Sequence, residues 1–162
     1  MKTQKHERGQ SLVELSISLL VLLYLLSGAV EFGLAFFQFV QLRDAAQEGA
    51  LYGSMGLTNK VQPQSPDTDL YKIEQRVRNA SSSPIDLADT SKVDVSVYID
   101  DLLIWQNGAS PNSTSLACES HALKVIVSYD HQVFMPFMSK IIGPTVPLDA
   151  EVTDTILTPL CT

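Results

Sequence analysis

The sequence predicts an α+β protein in which a long N-terminal transmembrane helix continues into a small extracytoplasmic domain with a helix and a three-stranded antiparallel sheet. Three observations lead to this class. From Ser16 to Val40 the chain is almost continuously apolar, and Glu31 is the only charged residue there. One amphipathic segment and then three segments of alternating polarity follow it. The 162 residues leave room for one such helix and one small domain.

The long helix is predicted over about Ser11 to Tyr52. At about 1.5 Å per residue, the stretch from Gln10 to Glu31 is roughly 32 Å long, which is close to the hydrocarbon thickness of a bilayer, about 30 Å. Gln10 is therefore expected at the inner interface of the membrane and Glu31 at the outer one.

Beyond the predicted span, Ala45, Gly49 and Gly53 recur every four residues and place three small residues on one face of the helix. Small residues permit close approach of another backbone. We expect this face to pack against the protein's own outer domain, and a contact with another subunit is the alternative. The segment containing Pro63 and Pro66 is expected to end the helix.

The outer domain begins with a helix predicted from about Leu70 to Ala80, capped by Asp67, Thr68 or Asp69. Its pattern places one set of side chains inward (Leu70, Ile73, Val77) and another on exposed turns (Tyr71, Glu74, Arg78).

Alternation of apolar and polar residues predicts three strands, over Val93–Ile99, Leu123–Tyr129 and Val146–Val152, the last extending towards Ile156. Asp100 and Asp101 are expected to form a turn, and residues 106–112 an exposed loop. The apolar stretch 133–142 is expected to be a short helix or an irregular segment. Helices covering one face of this sheet complete the predicted α+β domain.

Charge predicts the orientation in the membrane. The leader carries Lys2, Lys5 and Arg8 against Glu7, whereas beyond Gly49 there are seven Lys/Arg and thirteen Asp/Glu, a net charge of −6. Basic residues before the span and an acidic domain after it predict a cytoplasmic N-terminus and an extracytoplasmic C-terminal domain. An acidic domain also argues against binding to nucleic acid.

Glu14 follows Gly9 by five residues at the start of the apolar helix. This spacing resembles a type IV prepilin processing site, at which a membrane peptidase cuts after the glycine and leaves glutamate at the fifth mature position. A carboxylate so close to a membrane span is costly and is therefore usually functional.

Three blocks along the helix are together similar to the TadE-like family of minor pilins or pseudopilins of the bacterial Tad (Flp) tight-adherence pilus machinery. The blocks are Gly9-Gln10-Ser11-Leu12-Val13-Glu14, Glu31-Phe32-Gly33 and Ala45-Ala46-Gln47-Glu48-Gly49-Ala50. One departure is Leu15, where a Tad-type site would carry Phe or Tyr.

The resemblance implies a division into a leader (1–9), a long helix with the membrane span (10–53) and an extracytoplasmic domain (54–162). It implies cleavage between Gly9 and Gln10 by a prepilin peptidase, retention in the bacterial inner membrane, and partners among other pilin-like subunits and the Tad secretion machinery. In such an assembly Glu14 would pair with the new amino terminus of a neighbouring subunit.

Other interpretations of the helix remain open. Ser27-Gly28-Ala29 would suit signal peptidase, although Glu14 interrupts the apolar region of such a signal. The chain is alternatively an uncleaved single-pass membrane protein with an extracytoplasmic binding domain. A type II secretion pseudopilin is a nearer variant, disfavoured because Gln10 stands where such proteins have Phe. As a separate alternative to pairing with a neighbouring subunit, Glu14 merely extends its carboxylate to the headgroups.

Outside the cytoplasm, the two cysteines predict a disulfide between Cys118 and Cys161, because antiparallel pairing of the second and third predicted strands brings them together. Free buried thiols are the alternative. No catalytic motif is present, and His121 and His131 lack the tight spacing of metal ligands. The sequence therefore predicts neither an enzyme nor a cofactor or metal site.

Overall fold

The computed structural model describes residues 7–56, 69–112, 118–135 and 138–157. The elements in chain order are α1 (Glu7–Gly56), α2 (Asp69–Asn79), β1 (Val93–Ile99), β2 (Leu102–Gln106), β3 (Ala122–Gln132), α3 (Ser139–Ile142) and β4 (Thr145–Thr155). The predicted α+β class, with its long N-terminal apolar helix, is confirmed. Some predicted features lie outside the described residues. They are the caps at Asp67 and Thr68, the prolines at 63 and 66, and the first six residues of the leader.

The chain forms two compact units. The first combines the chain up to Ala35 with Gln132–Val146, and the second combines Phe36–His131 with the chain from Pro147 onward. The N-terminal half of α1 thus belongs to the first unit and its C-terminal half to the second.

The two halves of α1 differ sharply in burial. Every large apolar side chain from Leu12 to Leu26 is between 46% and 66% exposed. In the second half, by contrast, one face is closed off from solvent, with Leu42, Ala45 and Ala46 fully buried. A helix that is apolar on all sides belongs in a membrane, whereas one with a single buried face belongs on a folded domain.

The second unit is built on a four-stranded antiparallel sheet with the order β2-β1-β3-β4. Val95 of β1 pairs with Val127 of β3, and Val97 with Val125. These strand residues, together with the C-terminal half of α1 and the inner face of α2, form one apolar core; fully buried members include Leu42, Ile73, Val77, Val93, Val95, Val97, Leu123, Val125 and Val127. Helices on one face of an antiparallel sheet leave its other face to solvent, in agreement with the alternation seen in the sequence.

The predicted number of strands is wrong, because β2 adds a fourth strand to the three expected. The turn at Asp100 and Asp101, where both backbones have positive φ (48° and 66°), folds β2 back onto β1 so that Ile99 pairs with Leu102. Two such residues give the turn type that matches the twist of a hairpin, although Asn-Gly or Asp-Gly is its usual sequence. With no glycine there, and with four consecutive apolar residues in 102–105, the usual hairpin pattern is absent.

The predicted exposure of Glu74 and Arg78 is also wrong. Their side chains are only 3% and 5% exposed, whereas Tyr71 is exposed as expected. The Arg78 Nε donates to Glu74 Oε1 at 2.6 Å, so the two charges are buried as a pair one turn apart on α2. Neither charge is left uncompensated in the core, which is the condition under which such residues can be buried.

Candidate functional site

The candidate site is the N-terminal half of α1, an exposed apolar rod. By length and composition, α1 qualifies as a membrane span over Gly9–Met55, and no residue in its most apolar stretch is buried by the described part of the chain. One N-terminal candidate span fits a single-pass membrane protein. Because water is a poor solvent for so many exposed apolar side chains, the surface is explained by a lipid or protein environment.

Gly9, Gln10 and Glu14 all lie on this helix and are all exposed. Among the described residues, no heavy atom of a neighbouring side chain or segment lies within 4 Å of the position that a Cβ would take at Gly9. Packing inside the chain therefore gives no reason for glycine at position 9. Glu14 shares its helix face with the polar residues Gln10, Ser11 and Ser18, which stand three or four positions away.

Residues 9–51 match the model of the TadE-like protein family. This helical segment is TadE-like. The match begins at Gly9 and ends inside α1, so the elements from α2 to β4 lie outside it. Neither a curated protein sequence nor a solved structure matches the chain.

The small residues in the C-terminal part of the TadE-like segment, and just beyond it, lie against the chain's own domain. Ala45 is fully buried. A Cβ at Gly49 would lie 2.5 Å from the Val77 Cγ2 on α2, and one at Gly53 would clash with the Leu123 side chain on β3. Glycine at these two positions is what allows α1 to approach α2 and the sheet this closely.

Glu31, which the sequence placed at the outer interface of the membrane, is only 4% exposed. Its carboxylate accepts hydrogen bonds from the backbone N–H groups of Phe134 (3.1 Å) and Met135 (3.0 Å), which belong to the same unit. The isolated charge in an apolar helix was the signal for a special role. Its partners could not be inferred, because they are backbone groups more than a hundred residues away.

The remaining candidates for chemistry have structural partners. His121 bonds the Asp100 carboxylate, and the buried His131 Nδ1 lies 2.6 Å from Gln38 Oε1. The Ala122 N–H, followed by the His121 side chain, lowers the pKa of the Asp100 carboxyl. Within the described ranges no three His, Cys, Asp or Glu side chains converge to hold a metal ion.

Cys118 is buried, 5% exposed, whereas Cys161 lies outside the described residues. The chain just after Cys118 and the end of β4 are joined by two hydrogen bonds: Ser120 N–H donates to the Ile156 carbonyl, and Ile156 N–H to the His121 carbonyl, both at 3.0 Å. These bonds bring position 156, five residues before Cys161, close to the chain that follows Cys118.

We predict a disulfide between Cys118 and Cys161. Closing a loop of about 40 residues is expected to stabilise the domain by roughly 3–4 kcal/mol in the chain-entropy model. Peptide mapping by mass spectrometry under non-reducing conditions should find the two cysteines in one linked peptide pair. Recovery of both as alkylated thiols from unreduced protein would contradict the prediction.

Proposed function

We propose that the chain is a pilin-like minor subunit, or pseudopilin, of a Tad-type pilus machinery, cut after Gly9 and held in the inner membrane by α1. The observation that carries the proposal is the family match, which begins at Gly9 and runs along an exposed apolar helix with Glu14 near its start. Pilin-like subunits need such a helix twice, as a membrane anchor before assembly and as a packing surface afterwards.

The surroundings of Gly9 support a role in processing. Because nothing in the described part of the chain lies within 4 Å of a Cβ there, a larger side chain would be tolerated by the fold. A strict need for glycine at this position would then come from an external partner. We assign that partner as a prepilin peptidase, whose product would begin at Gln10.

Leucine in place of Gly9 is expected to block processing while leaving the fold intact. The matched control is Ala29→Leu, which places the same side chain at an exposed position of the same helix and at the cut expected for signal peptidase. Immunoblots of cells with and without the prepilin peptidase should show a shorter product for the wild type and the control, only when the peptidase is present. The Gly9 variant should stay at full length.

The rival interpretations give different results in the same experiment. A secretory signal would reverse the two variants, because Ala29→Leu would then be the one left uncut. An uncleaved anchor with an outer binding domain would leave all three proteins at full length. Either result would overturn the proposal.

Orientation follows from charge and is part of the proposal. The leader is basic and the chain after Gly49 carries a net charge of −6, so the outer domain is assigned to the extracytoplasmic side. In this position, the domain would be available to other pilin-like subunits and to the Tad secretion machinery.

A further inference from the structure

The described residues 133–135 and 138–143, with α3 at their end, form an excursion that packs against the apolar half of α1 inside the first unit. We propose that the exposed apolar side chains of this excursion, Phe134, Ile141 and Ile142, insert into the outer leaflet of the bilayer beside α1 and form a second membrane contact. The inference goes beyond the proposed pilus function and rests on two parts of it, that the N-terminal half of α1 spans a membrane and that the C-terminal domain lies on the outer side.

The contacts of the excursion set its depth. A Cβ at Gly28 would lie 3.7 Å from the Met138 Cε, so the Met138 side chain rests on α1 at that position. Gly28 is about 27 Å along the helix from Gln10 at about 1.5 Å per residue, still within a hydrocarbon layer about 30 Å thick. One turn further, Glu31 binds the backbone of Phe134 and Met135.

The surface of the excursion is apolar. Phe134 is 66% exposed, Ile141 68% and Ile142 48%. These side chains belong to the same unit as the exposed span of α1, and lipid is the environment that covers both. Lys140, exposed between the apolar side chains of α3, has a stem long enough to lie along lipid while its ammonium reaches the phosphate headgroups.

Non-helical chain at membrane depth needs partners within the protein for its polar groups, and most described N–H groups of the excursion have one. Glu31 accepts from Phe134 and Met135, and the Pro144 carbonyl accepts from Val133. The remaining bonded N–H groups donate to carbonyls of the excursion itself; they are those of Met138, Ser139, Ile141, Ile142 and Gly143. The buried Glu31 carboxylate thereby gains a role, because it supplies acceptors that a lipid cannot.

The proposal is tested with the full chain reconstituted in nanodiscs containing phosphatidylcholine brominated at shallow or deep acyl positions. Phe134→Trp and Ile141→Trp report on the excursion, since both sites are exposed. Leu23→Trp reports on the span, and Leu157→Trp, 61% exposed in the second unit, is the control for an outer residue. The native Trp105, which is 5% exposed, emits in every variant. Its contribution is measured on the wild-type protein and subtracted from the emission of each variant.

We expect shallow bromines to quench Phe134→Trp and Ile141→Trp more strongly than deep ones, while Leu157→Trp keeps its emission. Adding Glu31→Ala to Phe134→Trp should reduce that quenching, because two backbone donors lose their acceptor.

Quenching of Leu23→Trp without quenching of the two excursion reporters would overturn the inserted excursion and leave the span in place. A blue shift of these reporters that grows with protein concentration, without bromine quenching, would also overturn it by showing a contact between copies. Absence of quenching at all four positions would overturn both the excursion and the span. None of these results depends on the cut after Gly9.

Discussion

Replacement of Glu74 by alanine is expected to destabilise the outer domain by about 3–5 kcal/mol, the usual cost of leaving one member of a buried ion pair behind. The Glu74 carboxylate accepts hydrogen bonds from other elements as well as from Arg78 on α2. Its Oε1 accepts from Arg78 Nε at 2.6 Å, and its Oε2 accepts from Trp105 Nε1 at 2.6 Å and Gly108 N–H at 2.8 Å. Alanine would leave three donors, one of them charged, without this acceptor.

The same cluster fastens α2 to the hairpin of β1 and β2. The Arg78 Nη1 donates to the Leu87 carbonyl and its Nη2 to Asn107 Oδ1, each at 3.0 Å. Asn107 Oδ1 also accepts from Val95 N–H at 2.9 Å. Loss of Glu74 should therefore loosen the contact between helix and hairpin as well as the ion pair.

Glu48→Ala is the matched control for Glu74→Ala. Glu48 also pairs with an arginine of α2, Arg76, but at 3.7 Å and with both side chains about half exposed. Such a surface pair contributes about 0–1 kcal/mol. Urea unfolding of the full chain in detergent, followed by Trp105 fluorescence, compares the two variants. Equal unfolding free energies would show that the buried cluster contributes no more than a surface pair.

Glu14→Gln is expected to leave membrane insertion and cleavage intact and to impair assembly. In the proposed assembly, the carboxylate pairs with the amino terminus that cleavage creates on a neighbouring subunit, and glutamine removes the charge but little of the volume. Breaking a buried pair costs about 3–5 kcal/mol, which shifts an assembly equilibrium more than about a hundredfold. Glu14→Leu should behave in the same way, because charge rather than polarity is lost.

The assay for Glu14 is pilus recovery, or adherence, in cells where each variant is expressed and processed at normal levels. Ser18→Ala is the control, since it changes a polar residue one turn further along the same exposed helix without changing its charge. Unchanged assembly in both Glu14 variants would mean that the carboxylate only reaches for the headgroups.

Much of the fold could be predicted from the sequence, because period and polarity determine it. The long helix follows from a continuously apolar run, α2 from apolar residues at helical spacing, and the strands β1, β3 and β4 from alternation. The strand β2 could not be predicted in this way, since it has neither alternation nor a glycine-containing turn before it. Its position depends on tertiary pairing with β1.

Glu74 and Arg78 show a second limit of prediction from sequence. Together with Leu70, Ile73 and Val77 they complete a stripe of buried positions along α2. The spacing of Glu74 and Arg78 is therefore that of buried positions, whereas their charge led to the prediction that they face solvent. Two opposite charges one turn apart can be buried together, and the hydrogen bonds that permit it come from other elements.

In the candidate site, the residues of the TadE-like segment could be recognised because they lie in order on one helix. The role of Glu31 could only be found in three dimensions, since Phe134 and Met135 offer backbone groups and no side-chain pattern.

If the chain is a processed pilin-like subunit, the cut after Gly9 determines the N-terminus of the mature protein. We expect N-terminal sequencing and intact mass of the wild-type protein, extracted from membranes of its own host, to show a chain that begins at Gln10. A chain that begins at Val30 would identify a secretory signal, and an intact Met1 would identify an uncleaved anchor. Either of these would contradict the proposed function.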